Sequence, residues 1–206
     1  MSTAQDERAA LSALLLEVGP DAPTLCGGWR TRDLAAHLVL RERRPDAAPG
    51  ILVPLLAGYT DHVQAGIANR HWPTLVEQVR TGPPLLSPYR LLDAQVNGLE
   101  FFVHHEDVRR AEGDWKPRQL AAATEDELWG RLTLVGRVGY RKSPVGVVLQ
   151  RPGGATITVK GGPRTVTLCG EPSELVLHAF GRDAVQLETT GADVDVQAVL
   201  GLDRAF

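Results

Sequence analysis

The spacing of apolar positions changes along this chain. Residues 5–18 place Leu11, Leu14, Leu15 and Val18 on one helical face, and Gly19 with Pro20 ends the pattern. After the loop "TLCGGW", Thr31 stands where it can cap "RDLAAHLVLRER", which Pro45 stops. Residues 51–68 repeat a helical pattern weakened by Pro54 and Gly58, and Pro73 suits the first turn of a short helix. "TGPPLLSP" breaks the chain, and a long helix follows from about Tyr89 to Ala111, closed by Gly113.

Beyond residue 140 the period shortens. Residues 145–149 and 155–159 are rich in Val, Ile and Thr around "RPGG" and read as a hairpin. A third strand lies in "GGPRTVTLCG", then come a helix in "EPSELVLHAFGR", a strand in "AVQLETTG" and a last helix in "DVDVQAVLGL". The connector "LAAATEDELWGRLTLVGRVGY" is ambiguous, with a further helix as one reading. These patterns predict an α+β protein with a helical part over residues 1–138 and a small α+β part over 139–206.

Composition narrows the function classes. The 206 residues carry a net charge of −3 with few aromatics, which disfavours nucleic-acid and membrane partners. No apolar run approaches the roughly 20 residues of a membrane helix. The start "MSTAQDERAA" has no apolar signal-like core, and Cys26 and Cys169 stand far apart, so a reducing cytoplasm is the expected location.

The stretch "LEFFVHHEDVRR" (99–110) mixes aromatics with charge. On a helical wheel Val96, Leu99 and Val103 form an apolar stripe, with Glu100, His104 and Asp107 on it or at its flank. His105 falls opposite, beside Arg109, and is expected to face solvent. Glu100 and His104 are four residues apart and stack on one face. On the second helix His37 sits among Leu34, Leu38 and Leu40, with Arg41 one turn later. Two readings stay open. The charges satisfy one another in the core, or His37, Glu100 and His104 form a two-histidine, one-carboxylate metal site with open positions. Asp107 then orients a ligand or pairs with Arg41, and Arg41 receives a substrate carboxylate or oxyanion, or pairs with Asp107 or Glu100.

"TLCGGWRTRDLAAHL", followed by "NGLEFFVHHEDVRR", resembles the N-terminal domain of the mycothiol-dependent maleylpyruvate isomerase family, within the DinB-like four-helix bundle group. "CGEPSELVLHAFGR" resembles that family's small C-terminal α/β domain, likened to sterol-carrier folds. The resemblance implies metal ligands at His37, Glu100 and His104, with Asp107 completing the second motif. It also implies a divalent metal, zinc first, and a low-molecular-weight thiol such as mycothiol as cosubstrate. The activity implied is S-transfer to, or isomerisation of, a small electrophile. A metal-dependent hydrolase and a non-catalytic, metal-stabilised ligand carrier are the competing classes. A monomer and a homodimer are both compatible with such a bundle.

The remaining candidates read as structural. Cys26, in a loop before a helix, could serve as a redox residue or fourth ligand, but Cys26 and Trp29 read first as packing that anchors the helix of His37, and Cys169 as structural. His62 and His71 are expected at the surface, and His178 in a surface or packing position near the domain interface. Gly161 and Gly162 form a turn rather than a phosphate loop, because no helix opening with Lys and Ser or Thr follows.

Overall fold

The computed structural model describes residues 3–51, 53–84 and 89–204, with the backbone alone for Thr3 and 89–97. The predicted break at "TGPPLLSP" therefore lies partly outside the described residues, as does the side chain of Val96. The protein mixes helix with one four-stranded sheet, as the α+β pattern predicts. It divides into two compact units between Trp115 and Lys116.

The first unit is built from helices: α1 (Thr3–Val18), α2 (Thr31–Arg43), α3 (Ala57–Ala68), α4 (Trp72–Thr81) and α5 (Tyr89–Arg109). The expected helix over 51–68 is shorter, because Pro49 and Pro54 bracket two 3₁₀ turns (Ala48–Ile51 and Pro54–Leu56) before α3 begins. Helix α1 packs on α5 and α4, while α2 packs on α3, α4 and α5. Their shared core holds Leu11 and Leu15 of α1, Leu34 and Leu38 of α2, Leu75 and Val79 of α4, and Phe101 and Val108 of α5. Val18, expected on the apolar face, is exposed at the last turn of α1.

Thr31 does not cap α2. It is the first helical residue, and its hydroxyl donates to the carbonyl of Gly19 at 2.6 Å, closing the loop between α1 and α2. Arg30 takes the cap position, and its backbone N–H donates to the Asp33 carboxylate at 3.0 Å. A buried clamp joins three helices: Arg8 of α1 donates to Glu42 of α2 and to the carbonyl of Val79 of α4, with its guanidinium over the ring of Phe101.

The second unit holds α6 (Ala122–Gly139), β1 (Gly146–Gln150), β2 (Thr156–Lys160), β3 (Thr165–Cys169), α7 (Pro172–Ala179), β4 (Glu188–Thr190) and α8 (Asp193–Leu200). The ambiguous connector is thus a helix. It packs on α7 and β2, so it belongs to this unit, whereas a boundary at residue 138 would assign it to the first. Gly136 permits that approach, because a Cβ there would meet the Val159 side chain at 2.5 Å. Strand order is β2-β1-β3-β4, with β1 antiparallel to β2 and parallel to β3, and β3 antiparallel to β4. The "RPGG" turn requires its glycines, since Gly153 and Gly154 adopt φ of 91° and 89°.

Candidate metal centre

Residues 101–108 of α5 are buried without a break. A wheel assigns one face to the core, but α5 has packed neighbours on two sides. This resolves the oddity of "LEFFVHHEDVRR": polar groups on both flanks meet partners inside the unit. His105, expected at the surface, is 6% exposed, and its Nδ1 lies 2.7 Å from Glu7 of α1. Glu106, also buried, holds Arg110 and Arg109, and the Arg110 guanidinium lies over the Trp115 ring.

On the α2 flank the three predicted residues come together. Nε2 of His37 lies 3.6 Å from Glu100 Oε1, and Nε2 of His104 lies 3.5 Å from the same oxygen. The imidazoles of His37 and His104 meet nearly edge to face, with ring centroids 5.6 Å apart. Both histidines are buried, whereas the Glu100 side chain is 24% exposed and forms the open edge. Arg41, one turn after His37, places Nη1 3.4 Å from Glu100 Oε2, and among the described residues that nitrogen has no hydrogen-bond partner. Of the two pairings weighed for Arg41, the one with Glu100 is present.

Asp107 faces the other nitrogen of His104. Its Oδ2 lies 2.9 Å from His104 Nδ1 and accepts from the Cys26 thiol, Sγ to Oδ2 3.0 Å. The side chain of Asp107 is completely buried. The loop between α1 and α2 therefore does more than pack. Cys26 reaches Asp107, and the Trp29 ring lies 5.2 Å from that of His37. Nothing in the spacing of "TLCGGW" signals the thiol contact, because it joins residues 81 positions apart.

The electrostatics follow from this packing. Burial pushes Glu100 upward, but hydrogen bonds from His104 and His37 and the charge of Arg41 outweigh it and hold the carboxyl well below its usual range. Burial works against protonation of His104, yet Asp107, Cys26 and Glu100 raise it well above an ordinary histidine. His37 is lowered: burial dominates, Glu100 opposes it, and the charges of His104 and Arg41 add to it. Without a cation, this arrangement favours protonation of His104, which lies between two carboxylates, over protonation of His37.

No protein-family model, curated protein or solved structure matches this chain.

The donor atoms themselves carry the metal reading. Two donor groups of the kind that holds a metal ion share His104: His37–Glu100–His104 through Nε2, and Cys26–His104–Asp107 through Nδ1. Ligand atoms about 2.0–2.1 Å from a tetrahedral zinc are roughly 3.4 Å from one another. The 3.5 and 3.6 Å separations of the first group fit that spacing. In the second group the 2.9 and 3.0 Å contacts are hydrogen-bond lengths, and its carboxylate is shut off from solvent.

His62 and His71 are exposed, as expected, and take no part in the site. Cys169 ends β3 as a partly buried free thiol. In the second unit His178 is 1% exposed and meets the Tyr140 hydroxyl at 2.6 Å, which makes it a core residue.

Proposed function

We propose that the first unit is a mononuclear divalent-metal centre, zinc first, with His37 Nε2, Glu100 Oε1 and His104 Nε2 as ligands. The observation that carries this reading is the convergence of two imidazole nitrogens on one carboxylate oxygen, at spacings a single ion matches. Three protein ligands leave open positions, the pattern of a catalytic rather than a closed structural site. The partial exposure of Glu100 supports an entry on that side.

The activity proposed is S-transfer to, or isomerisation of, a small electrophile, with a low-molecular-weight thiol of the mycothiol type as cosubstrate. Support comes from the motif resemblance to the mycothiol-dependent maleylpyruvate isomerase family and its DinB-like bundles. A bound divalent cation supplies a positive charge that lowers the pKa of a coordinated thiol. The protein's own groups do the rest. Asp107 keeps a proton on His104 Nδ1, which leaves Nε2 free as a donor. Arg41 offers a buried N–H, not yet hydrogen-bonded, to a carboxylate or developing oxyanion beside the ligands.

Protein purified without chelators is expected to carry one equivalent of metal by mass spectrometry. Activity screens with and without added thiol then separate the classes. Thiol-dependent turnover supports the proposal, thiol-independent hydrolysis replaces it with water chemistry, and stoichiometric metal without turnover favours a ligand carrier.

A further inference from the structure

We propose that Cys26 is a positioning residue of this centre, acting on His104 through Asp107; the inference rests on the metal reading above. Its thiol donates to Asp107 Oδ2 at 3.0 Å, the same oxygen that lies 2.9 Å from His104 Nδ1. One carboxylate oxygen therefore holds two protons' worth of hydrogen bonds, one from each side. With Asp107 wholly enclosed by protein, the carboxylate orientation is set by its protein donors. Fixing that orientation fixes the plane of the His104 ring and keeps the Nδ1 proton in place. Nε2 then points at Glu100 and His37 with its lone pair available. A thiol engaged as donor to a carboxylate serves as an orienting group rather than a nucleophile or a ligand.

The loop that carries Cys26 is built independently of the thiol. The Leu25 N–H donates to the carbonyl of Asp107 at 3.0 Å, which ties the loop to the same turn of α5. The Cys26 N–H donates to the Thr24 hydroxyl, that hydroxyl donates to the carbonyl of Trp29, and the Trp29 N–H donates to the carbonyl of Cys26. Gly28, at φ 80°, permits the turn. Removing the sulfur alone leaves these bonds in place, so Cys26→Ala isolates the contacts of the thiol: its bond to Asp107 and the longer 3.8 Å approach of Sγ to His104 Nδ1.

The experiment uses the full chain with Cys26→Ala and Cys26→Ser. Zinc affinity is read by competition with a chromophoric chelator, and ligand geometry by the visible absorption of the cobalt(II)-loaded protein. The thermal midpoint of the chelator-treated protein is the folding control. Cys26→Ala is expected to weaken zinc binding about tenfold, at the low end of the range for groups that orient a ligand. The cobalt bands should shift while the metal-free midpoint stays close to that of the unmodified protein. Cys26→Ser, which restores an O–H donor, should recover most of the affinity.

Unchanged affinity and spectrum in Cys26→Ala would overturn the inference while leaving the metal site standing. A sulfur-to-cobalt charge-transfer band that vanishes in Cys26→Ala would also overturn it, by making Cys26 a ligand. Equal losses in both variants, with a fallen midpoint, would reduce Cys26 to packing. Failure of the unmodified protein to bind zinc or cobalt would overturn the metal reading itself and this inference with it.

Discussion

His37 on α2 and His104 on α5 meet with their ring planes at 74°, and each turns Nε2 toward the same oxygen of Glu100. Two buried imidazoles facing one carboxylate oxygen cannot both become charged without placing like charges together. A divalent cation satisfies all three groups at once. Zinc at about 100 times its Kd should therefore stabilise the first unit by roughly 2.7 kcal/mol, seen as a rise in thermal midpoint. His37→Ala should abolish both the rise and the bound metal. A zinc-induced rise that survives His37→Ala would place the metal elsewhere.

His105 provides the internal control. It adjoins His104 in sequence but pairs with Glu7, on the α1 side. His105→Ala should keep the metal yet destabilise the protein by about 2 kcal/mol, because the buried Glu7 carboxylate loses a hydrogen bond. Chemical denaturation and metal analysis on the same sample separate the two effects. Loss of metal in this variant would contradict the assignment of faces along α5.

Arg41 approaches Oε2 of Glu100, not the Oε1 that faces the two histidines, and should be dispensable for metal. In Arg41→Met, zinc content should stay stoichiometric. Binding of a small carboxylate such as oxalate to the cobalt-loaded protein should weaken about tenfold or more, as expected for a lost charge-assisted hydrogen bond. Titration of the visible bands measures it. Undiminished oxalate affinity would confine Arg41 to neutralising Glu100.

The clamp made by Arg8 is a stability feature with no part in the site. Glu42 is 3% exposed, and Arg8 reaches it with two nitrogens. Arg8→Ala removes a charged partner from a buried carboxylate and should cost about 3 kcal/mol, with metal stoichiometry unchanged under conditions where the protein stays folded. A loss below 1 kcal/mol in denaturant titration would show that water or another cation takes over.

The second unit should respond to acid through His178. Burial first, and the charge of Arg204 second, lower its pKa to about 3. In the unfolded chain a histidine titrates near 6.5. Below that value the unfolded state takes up a proton that the folded state refuses, so stability is full above pH 6.5 and falls as pH drops toward 3. This group alone lowers stability by about 2 kcal/mol between pH 7 and pH 5. Hydrogen exchange at the amides of α7 reads the unit locally, and His178→Gln should flatten that pH dependence. An unchanged slope in the variant would assign the acid response to the carboxylates.

The three donors were legible because each sits on a strongly apolar helical stretch where a polar side chain is out of place. Glu100 and His104 also share a four-residue spacing that survives any packing. His105 was misplaced because a wheel has one buried side and α5 has two packed flanks. Arg8, Glu42 and Glu7 gave no signal, since charged residues on α1 and α2 look like ordinary solvent-facing positions until a second helix covers them. The Cys26 contact with Asp107 was invisible for the same reason: sequence spacing says nothing about which loop a folded helix will meet.

The local order of elements lies in the sequence. Proline and glycine positions, together with the change from helical to alternating periodicity, set the helices of the first unit, the hairpin and the mixed order of the second. Local backbone preference and burial period are short-range properties, and they read directly. Only the tertiary structure decided that α6 joins the sheet unit, that His105 turns inward to Glu7, and that one loop touches both histidines. Those outcomes depend on which surfaces meet, and a surface buried from two sides leaves no single period in the chain.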